Sequence, residues 1–239
     1  MSALDFNAAA STRRVDHGSG PLLDNLPSNA GGFSVGGWVV RSANGANQHI
    51  WTKDDAIPNR GWLALCDNAI AEGNLRLLVI RGTTNTSFVS SGQELVIGLP
   101  VFAWFTFDDA ASPKVRIYAG TQRTPAAEVA YNTTTAGSGT INADAAASLY
   151  AGNLQRANTN PFLGRICTGI VAAQAITDLG LIRQLQTGVI LQPPRTVLRV
   201  RYGSNGTGMV WDESGNSNHG TITGATPSND TLPRLFRAA

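Results

Sequence analysis

Short apolar or alternating runs recur along the chain between clusters of Gly, Asn, Ser and Pro. They lie at Phe33–Arg41, His49–Lys53, Trp62–Cys66, Leu75–Arg81, Val101–Phe107, Val115–Ala119, Glu128–Tyr131, Leu149–Gly152, Gly164–Ala172 and Val197–Tyr202. Many short strands with turn residues between them predict an all-β sandwich or barrel. Leu75–Arg81 and Val197–Tyr202 alternate most regularly, which puts one face in a core and the other in solvent. One stretch breaks the pattern. Between Ala173 and Leu185, the residues Ile176, Leu179, Ile182 and Leu185 recur at three-residue steps, predicting an apolar stripe on one short helix. Gly180 weakens that helix, and Gly188 with Pro193-Pro194 stops it.

Composition narrows the class. At 239 residues and 42% hydrophobic content, the chain is large enough for one sandwich with a substantial core. It holds no apolar run of about 18 residues, so no membrane span is expected. Met1-Ser2-Ala3-Leu4-Asp5 lacks the basic-then-apolar order of a secretory signal, so synthesis in a host cytoplasm without export is the expectation. For the same reason the Asn85, Asn132 and Asn205 sequons are discounted as glycosylation sites. Net charge is only +2, and arginines stand singly at Arg41, Arg60, Arg76, Arg81 and Arg116. A nucleic-acid interface needs a clustered basic face, and none is predicted. Cys66 and Cys167 each sit in an apolar run: buried free thiols are the default, with a single bridge between them as the alternative.

Candidate chemistry is sparse. His17, His49 and His219 stand apart from any nucleophile motif, and no phosphate loop or His-Glu-x-x-His occurs. Asp54-Asp55 and Asp108-Asp109 are adjacent pairs, expected in loops. Of the tryptophans Trp38, Trp51, Trp62, Trp104 and Trp211, four lie in apolar strand runs and are expected in the core. Trp51, beside Lys53 and Asp54-Asp55, is the first candidate for ligand stacking.

The densest local signal is Asp212-Glu213-Ser214-Gly215-Asn216-Ser217-Asn218-His219-Gly220-Thr221. As residues, these predict a structural turn through Asp212, Ser214, Gly215, Asn216, Asn218, His219 and Gly220, in which Asp212 and Asn216 cap local backbone amides and Gly215 and Gly220 take conformations closed to other residues. The alternative makes Asp212, Asn216 and Asn218 oxygen ligands to calcium, for which neighbouring carboxylates are too few.

This element resembles the "D-x-SGN-x-NHGT-x-x-GA" signature of laminin-G-like domains, in the concanavalin A-like jelly-roll superfamily. Phe33–Val40 resembles the family's "F-T-I-x-x-W-V" strand, and Val115–Gly120 resembles "V-R-L-Y-V-N-G". Leu149–Asn153 followed by Pro161–Ile166 resembles "L-x-I-G-x…F-x-G-x-I", and the short helix also has a counterpart. In the family the signature precedes an "L-x-F" strand, whereas Leu4-Asp5-Phe6 stands here at the other end of the chain. The resemblance implies a two-layer antiparallel jelly-roll β-sandwich over residues 1–225, circularly permuted, with 196–225 supplying the family's first strands. It leaves two routes open: the segment folds back in cis, or it completes a neighbouring subunit by exchange.

The resemblance also implies function. Sandwich glycosidases of this superfamily carry a "Glu-x-Asp-x-x-Glu" strand, and Glu72, Glu94, Glu128 and Glu213 stand outside such a pattern. The expectation is a non-enzymatic virion protein without cofactor or metal, decorating the outer surface of a phage capsid. Its partners would be the major capsid protein and further copies of itself, with a glycan as an additional partner. The alternative is a carbohydrate-binding or receptor-binding module at a phage tail tip. Residues 226–239 are expected to form a docking arm through Leu232, Arg234, Leu235, Phe236 and Arg237.

Overall fold

A computed structural model describes residues 3–6, 12–55, 60–68, 72–153, 160–189, 192–203 and 208–228. Two sheets face one another, each with nine strands among those residues, and every strand-to-strand ladder is antiparallel. In the first sheet, β10 (Ala127–Glu128), β9 (Val115–Thr121), β8 (Pro100–Phe107) and β3 (Phe33–Arg41) lie side by side. β3 then pairs with two successive strands, β13 (Gly164–Ile166) and β14 (Thr168–Ala172). β13 continues to β1 (Ala3–Asp5) and on to β18 (Thr226–Ser228), while β14 pairs with β15 (Thr196–Arg201).

The second sheet starts with β11 (Tyr131–Thr135), β7 (Thr86–Ser90), β6 (Asn74–Val79), β5 (Arg60–Asp67) and β4 (Gln48–Asp55). It continues through β12 (Leu149–Ala151), β2 (Arg14–Asp16), β17 (Gly220–Thr223) and β16 (Met209–Val210). The predicted all-β sandwich with one short helix is the observed fold class.

The middle of the first sheet, at β3 and β8, is apolar on both faces because both are covered there. Along β8, Val101, Ala103, Phe105 and Phe107 enter the core between the sheets. Phe102 and Trp104 point the other way, onto a second core shared with Trp38, Tyr118, Ile176, Ile182 and Leu185. The strand period of two thus divides one continuous apolar run between two cores. Helix α1 (Leu179–Thr187) covers the outer core. Two indoles fix its position: Trp38 Nε1 donates to Gln186 O at 3.0 Å, and Trp104 Nε1 donates to Ile176 O at 3.2 Å.

Several boundaries differ from the sequence reading for local reasons. The helix begins at Leu179, because the Asp178 side chain accepts from Leu181 N–H at 2.7 Å and caps it there. Ile176 stays buried ahead of the helix, and Leu179 is exposed instead of joining the stripe. Gly188, at φ 74°, closes the other end. The run Gly164–Ala172 breaks at Cys167, whose N–H donates to Trp38 O while Thr168 Oγ1 accepts from Trp38 N–H. A side chain at Gly37 would meet Thr168 O at 2.1 Å, so this close approach requires glycine. Glu128–Tyr131 splits between β10 and β11, which belong to opposite sheets. Asp54 and Asp55 extend β4 opposite Gly61 and Arg60 and are not loop residues. Cys66 and Cys167 are buried free thiols, and burial raises their pKa values to about 11 and about 12. No described helix is long and apolar enough to cross a membrane.

The segment 196–225 packs on its own chain. β15 pairs with β14, β17 with β2, and β18 with β1, so pairing continues past residue 225 to Ser228. Val197, Leu198, Val200, Tyr202 and Val210 from this segment all enter the central core. Leu232, Arg234, Leu235, Phe236 and Arg237 lie outside the described residues.

Two outcomes follow from this packing. Trp104→Ala should lower unfolding free energy by about 3–5 kcal/mol in urea titration, as for other buried large-to-small changes; a cost under about 1 kcal/mol would contradict its burial. Deleting residues 196–239 should abolish the cooperative thermal transition, because six core side chains and three strand partners leave together. A stable, soluble truncated sandwich would refute that dependence.

Candidate functional site

The Asp212 element is a turn built around one carboxylate. Its Oδ1 accepts from the N–H groups of Arg199 at 3.0 Å and Ser214 at 2.8 Å. Oδ2 accepts from Asn218 N–H at 3.0 Å and Ser214 Oγ at 2.8 Å. The amides of Asn216 and Asn218 donate to Val197 O at 3.2 and 2.7 Å, tying the turn to the start of β15. Gly215, at φ 89°, supplies the left-handed residue that lets the loop close. Both carboxylate oxygens are engaged with the protein itself. Among the described residues, no group of three or more His, Cys, Asp or Glu side chains is arranged to hold a metal.

The same turn sets two histidine tautomers. His219 Nδ1 accepts from Asp212 N–H at 3.0 Å, so in the neutral ring the proton is on Nε2. His17, on the strand β2 side, has Nδ1 at 3.2 Å from Asn218 O and Nε2 at 3.1 Å from Tyr202 Oη. A carbonyl only accepts, so Nδ1 carries the proton and Nε2 accepts from the phenol. Burial lowers the His17 pKa to about 4, outweighing the opposing pull of the Asn218 carbonyl and of Asp212. Burial also pushes the Tyr202 phenol far above its usual range, keeping it a donor.

Trp51, the first candidate for ligand stacking, does not reach the surface. It is 2% exposed in the central core, because β4 turns that face toward the opposite sheet. Asp54 is likewise fully buried, so neither it nor Trp51 meets solvent. Asp55 closes β4 opposite Arg60.

What lies next to them is a buried charge cluster that the residue pattern did not reveal. Lys53 Nζ, fully buried, donates to Asp24 Oδ1 at 2.9 Å and to Ala147 O at 2.5 Å, with Asp144 Oδ1 at 3.8 Å. Asp144 is itself held by Asn25: its Oδ1 accepts from Asn25 N–H, and its own N–H donates to Asn25 Oδ1. Burial raises the Asp144 pKa to about 6, partly offset by Lys53. The cluster pins the turn at Asp24 and the loop at Asp144 onto β4. Arg81 plays a similar part elsewhere, pairing with Asp109, which also pairs with Lys114 at 2.7 Å.

Two open clefts flank Asn29 and Ala30. One, of about 490 Å³, is lined by Leu22, Arg195, Thr196, Val197 and Asn216, and so borders the Asp212 turn. The other, of about 460 Å³, is lined by Asp108, Asp109, Gly139 and Thr140. Of the five tryptophans, only Trp211 reaches solvent; it is 50% exposed and stands edge-on to His219, with ring centroids 4.7 Å apart. Its flanks, Asp212-Glu213-Ser214, are polar, and that was the signal available in the sequence.

The sequence matches no protein-family model and no curated protein.

Two measurements test this description. Calcium should leave calorimetric titrations flat, since the Asp212 oxygens already accept four hydrogen bonds; micromolar binding lost in Asp212→Ala would replace the turn with a metal site. The second is pH dependence. The His17 pKa falls from 6.5 to about 4 on folding, so its contribution is intact above pH 6.5 and is lost as pH drops toward 4. The Asp144 pKa rises from 3.8 to about 6, so its contribution is present below 3.8 and lost as pH rises through 6. Each shift is worth on the order of 3 kcal/mol, and the two oppose one another. Relative to the parent, His17→Asn should therefore gain stability as pH falls from 6.5 to 4, and Asp144→Asn should lose it. Parallel stability–pH curves for all three proteins would overturn both assignments.

Proposed function

We propose that the chain is a non-enzymatic structural protein of a virion, a decoration or cement protein on the outer surface of a phage capsid. The observation that carries this reading is the cis closure of the sandwich. The first and last described strands, β1 and β18, pair with each other, and the terminal segment enters the core. Such a unit suits a rigid cap seated on a larger shell. The ionisable groups support the same reading. Lys53, Asp24, Asp144, Asp212 and His17 each tie a turn or loop to a neighbouring part of the sandwich. The laminin-G-like resemblance, with its implied permutation, points the same way by analogy of fold.

The partners in this proposal are the major capsid protein and neighbouring copies of the chain. Imaging the purified particle at side-chain resolution tests it. Density for this sandwich at regular lattice positions is the expected result, and its absence from the particle ends the proposal. A second reading, a carbohydrate-binding or receptor-binding module at a tail tip, is favoured by one observation, the solvent-facing indole of Trp211.

A further inference from the structure

Residues 209–213 cross from the second sheet to the first. Met209–Val210 pairs with β17, and Asp212 then bridges Val200 in β15. That antiparallel bridge places Arg201 across from Trp211 and Arg199 across from Glu213, as the Glu213 N–H to Arg199 O bond at 2.7 Å confirms. Val200 and Asp212 face inward at 1% and 8% exposure, so their neighbours on both strands face outward. The result is an exposed row of Met209, Trp211 and Glu213 beside Arg199 and Arg201.

Ion pairs and a ring contact join the members of the row. Glu213 Oε2 accepts from Arg199 Nη2 at 2.9 Å and from Arg201 Nε at 3.2 Å. The indole rests at 74° against the His219 ring, which the Asp212 N–H holds in place. A large aromatic ring left half in water, with its position fixed by the turn beneath it, is preorganised for contact.

We propose that Trp211, Arg201 and Glu213 form a binding platform for a pyranose ring of a surface polysaccharide. The flat indole takes the apolar C–H face of the sugar. The guanidinium and carboxylate beside it supply a donor and an acceptor close together, as neighbouring hydroxyls require. Two arginines to one glutamate leave the row net positive, so a uronic acid residue is accommodated as well as a neutral hexose. The site rests on the recognition reading given above for Trp211. It is independent of whether the chain decorates a capsid, so loss of one leaves the other standing.

Trp38, Trp51, Trp62 and Trp104 are at most 2% exposed, so acrylamide-quenchable fluorescence reports Trp211 alone. The full-length protein is titrated with oligosaccharides from bacterial surface polysaccharides, in a neutral hexose arm and a uronate arm. Saccharide should shield Trp211 from quencher. In calorimetric titration, which needs no indole reporter, Trp211→Ala should abolish saccharide binding and Trp211→Phe should retain part of it. Glu213→Gln should weaken binding about tenfold while the indole still reports, as expected for loss of a charged hydrogen-bond partner. A preference for the uronate arm that disappears in Arg201→Gln assigns the guanidinium to a carboxylate, whereas equal binding of both arms assigns it to hydroxyls. Absence of shielding in both arms overturns the proposal. So does shielding that Glu213→Gln and Arg201→Gln leave unchanged, or shielding produced by protein concentration alone, which would make the row a protein contact.

Discussion

The amino-terminal strand β1 is interior to its sheet, and this constrains everything around it. Its backbone amides and carbonyls need partners on both sides. One side is β13, through Leu4 and Asp5, and the other is β18, through Ala3, Leu4 and Asp5. Strands more than two hundred residues apart in the sequence must therefore meet before the first sheet is complete. The segment that brings β18 there also fills the core, since Val197, Leu198, Val200, Tyr202 and Val210 lie along its path. Sheet pairing and core packing consequently depend on the same stretch of chain.

The Asp212 turn makes that path possible. It reverses the chain beside β15, and its single carboxylate satisfies three backbone N–H groups that the reversal would leave without partners. His17, distant in sequence, then meets the turn in space, bonding Asn218 and Tyr202 at once. The Lys53 cluster does comparable work across the sandwich. A buried ion pair contributes little net stability once desolvation is counted, but removing one partner leaves a costly unpaired charge. Such groups select one arrangement of the loops at Asp24 and Asp144 more than they strengthen it. His17 and Asp144 respond to acid in opposite directions, so their effects on the whole fold largely cancel.

The residue types that attract attention in a sequence were misleading about exposure. Trp51 next to Lys53 and two aspartates looked like a binding corner, yet it is sealed within the core. The charges beside it are turned into buried pairs and strand ends instead. Trp211 sits among polar residues in the turn and remains half exposed, because its inward-facing neighbour Asp212 occupies the space beneath. The first sheet shows the same principle on a larger scale. Its second apolar face exists only because α1 covers it, and Trp38 and Trp104 secure that cover through their indole N–H groups.

Alternation, apolar runs and turn residues were enough to determine the all-β class, the main strands and the short helix. Phe33–Arg41 was read to the residue, since its signals are local and its flanks are turn formers. Short strands such as Arg14–Asp16 and Thr86–Ser90 carried too few apolar residues to stand out, and they are strands because neighbours pair with them. The polar spacing of the Asp212 element likewise foretold a turn. Only the tertiary structure decided which strands the segment from Thr196 onward pairs with, and that Lys53 and Asp144 meet. Each of those outcomes depends on partners distant in sequence, and pairing between distant residues leaves no period in the chain to read.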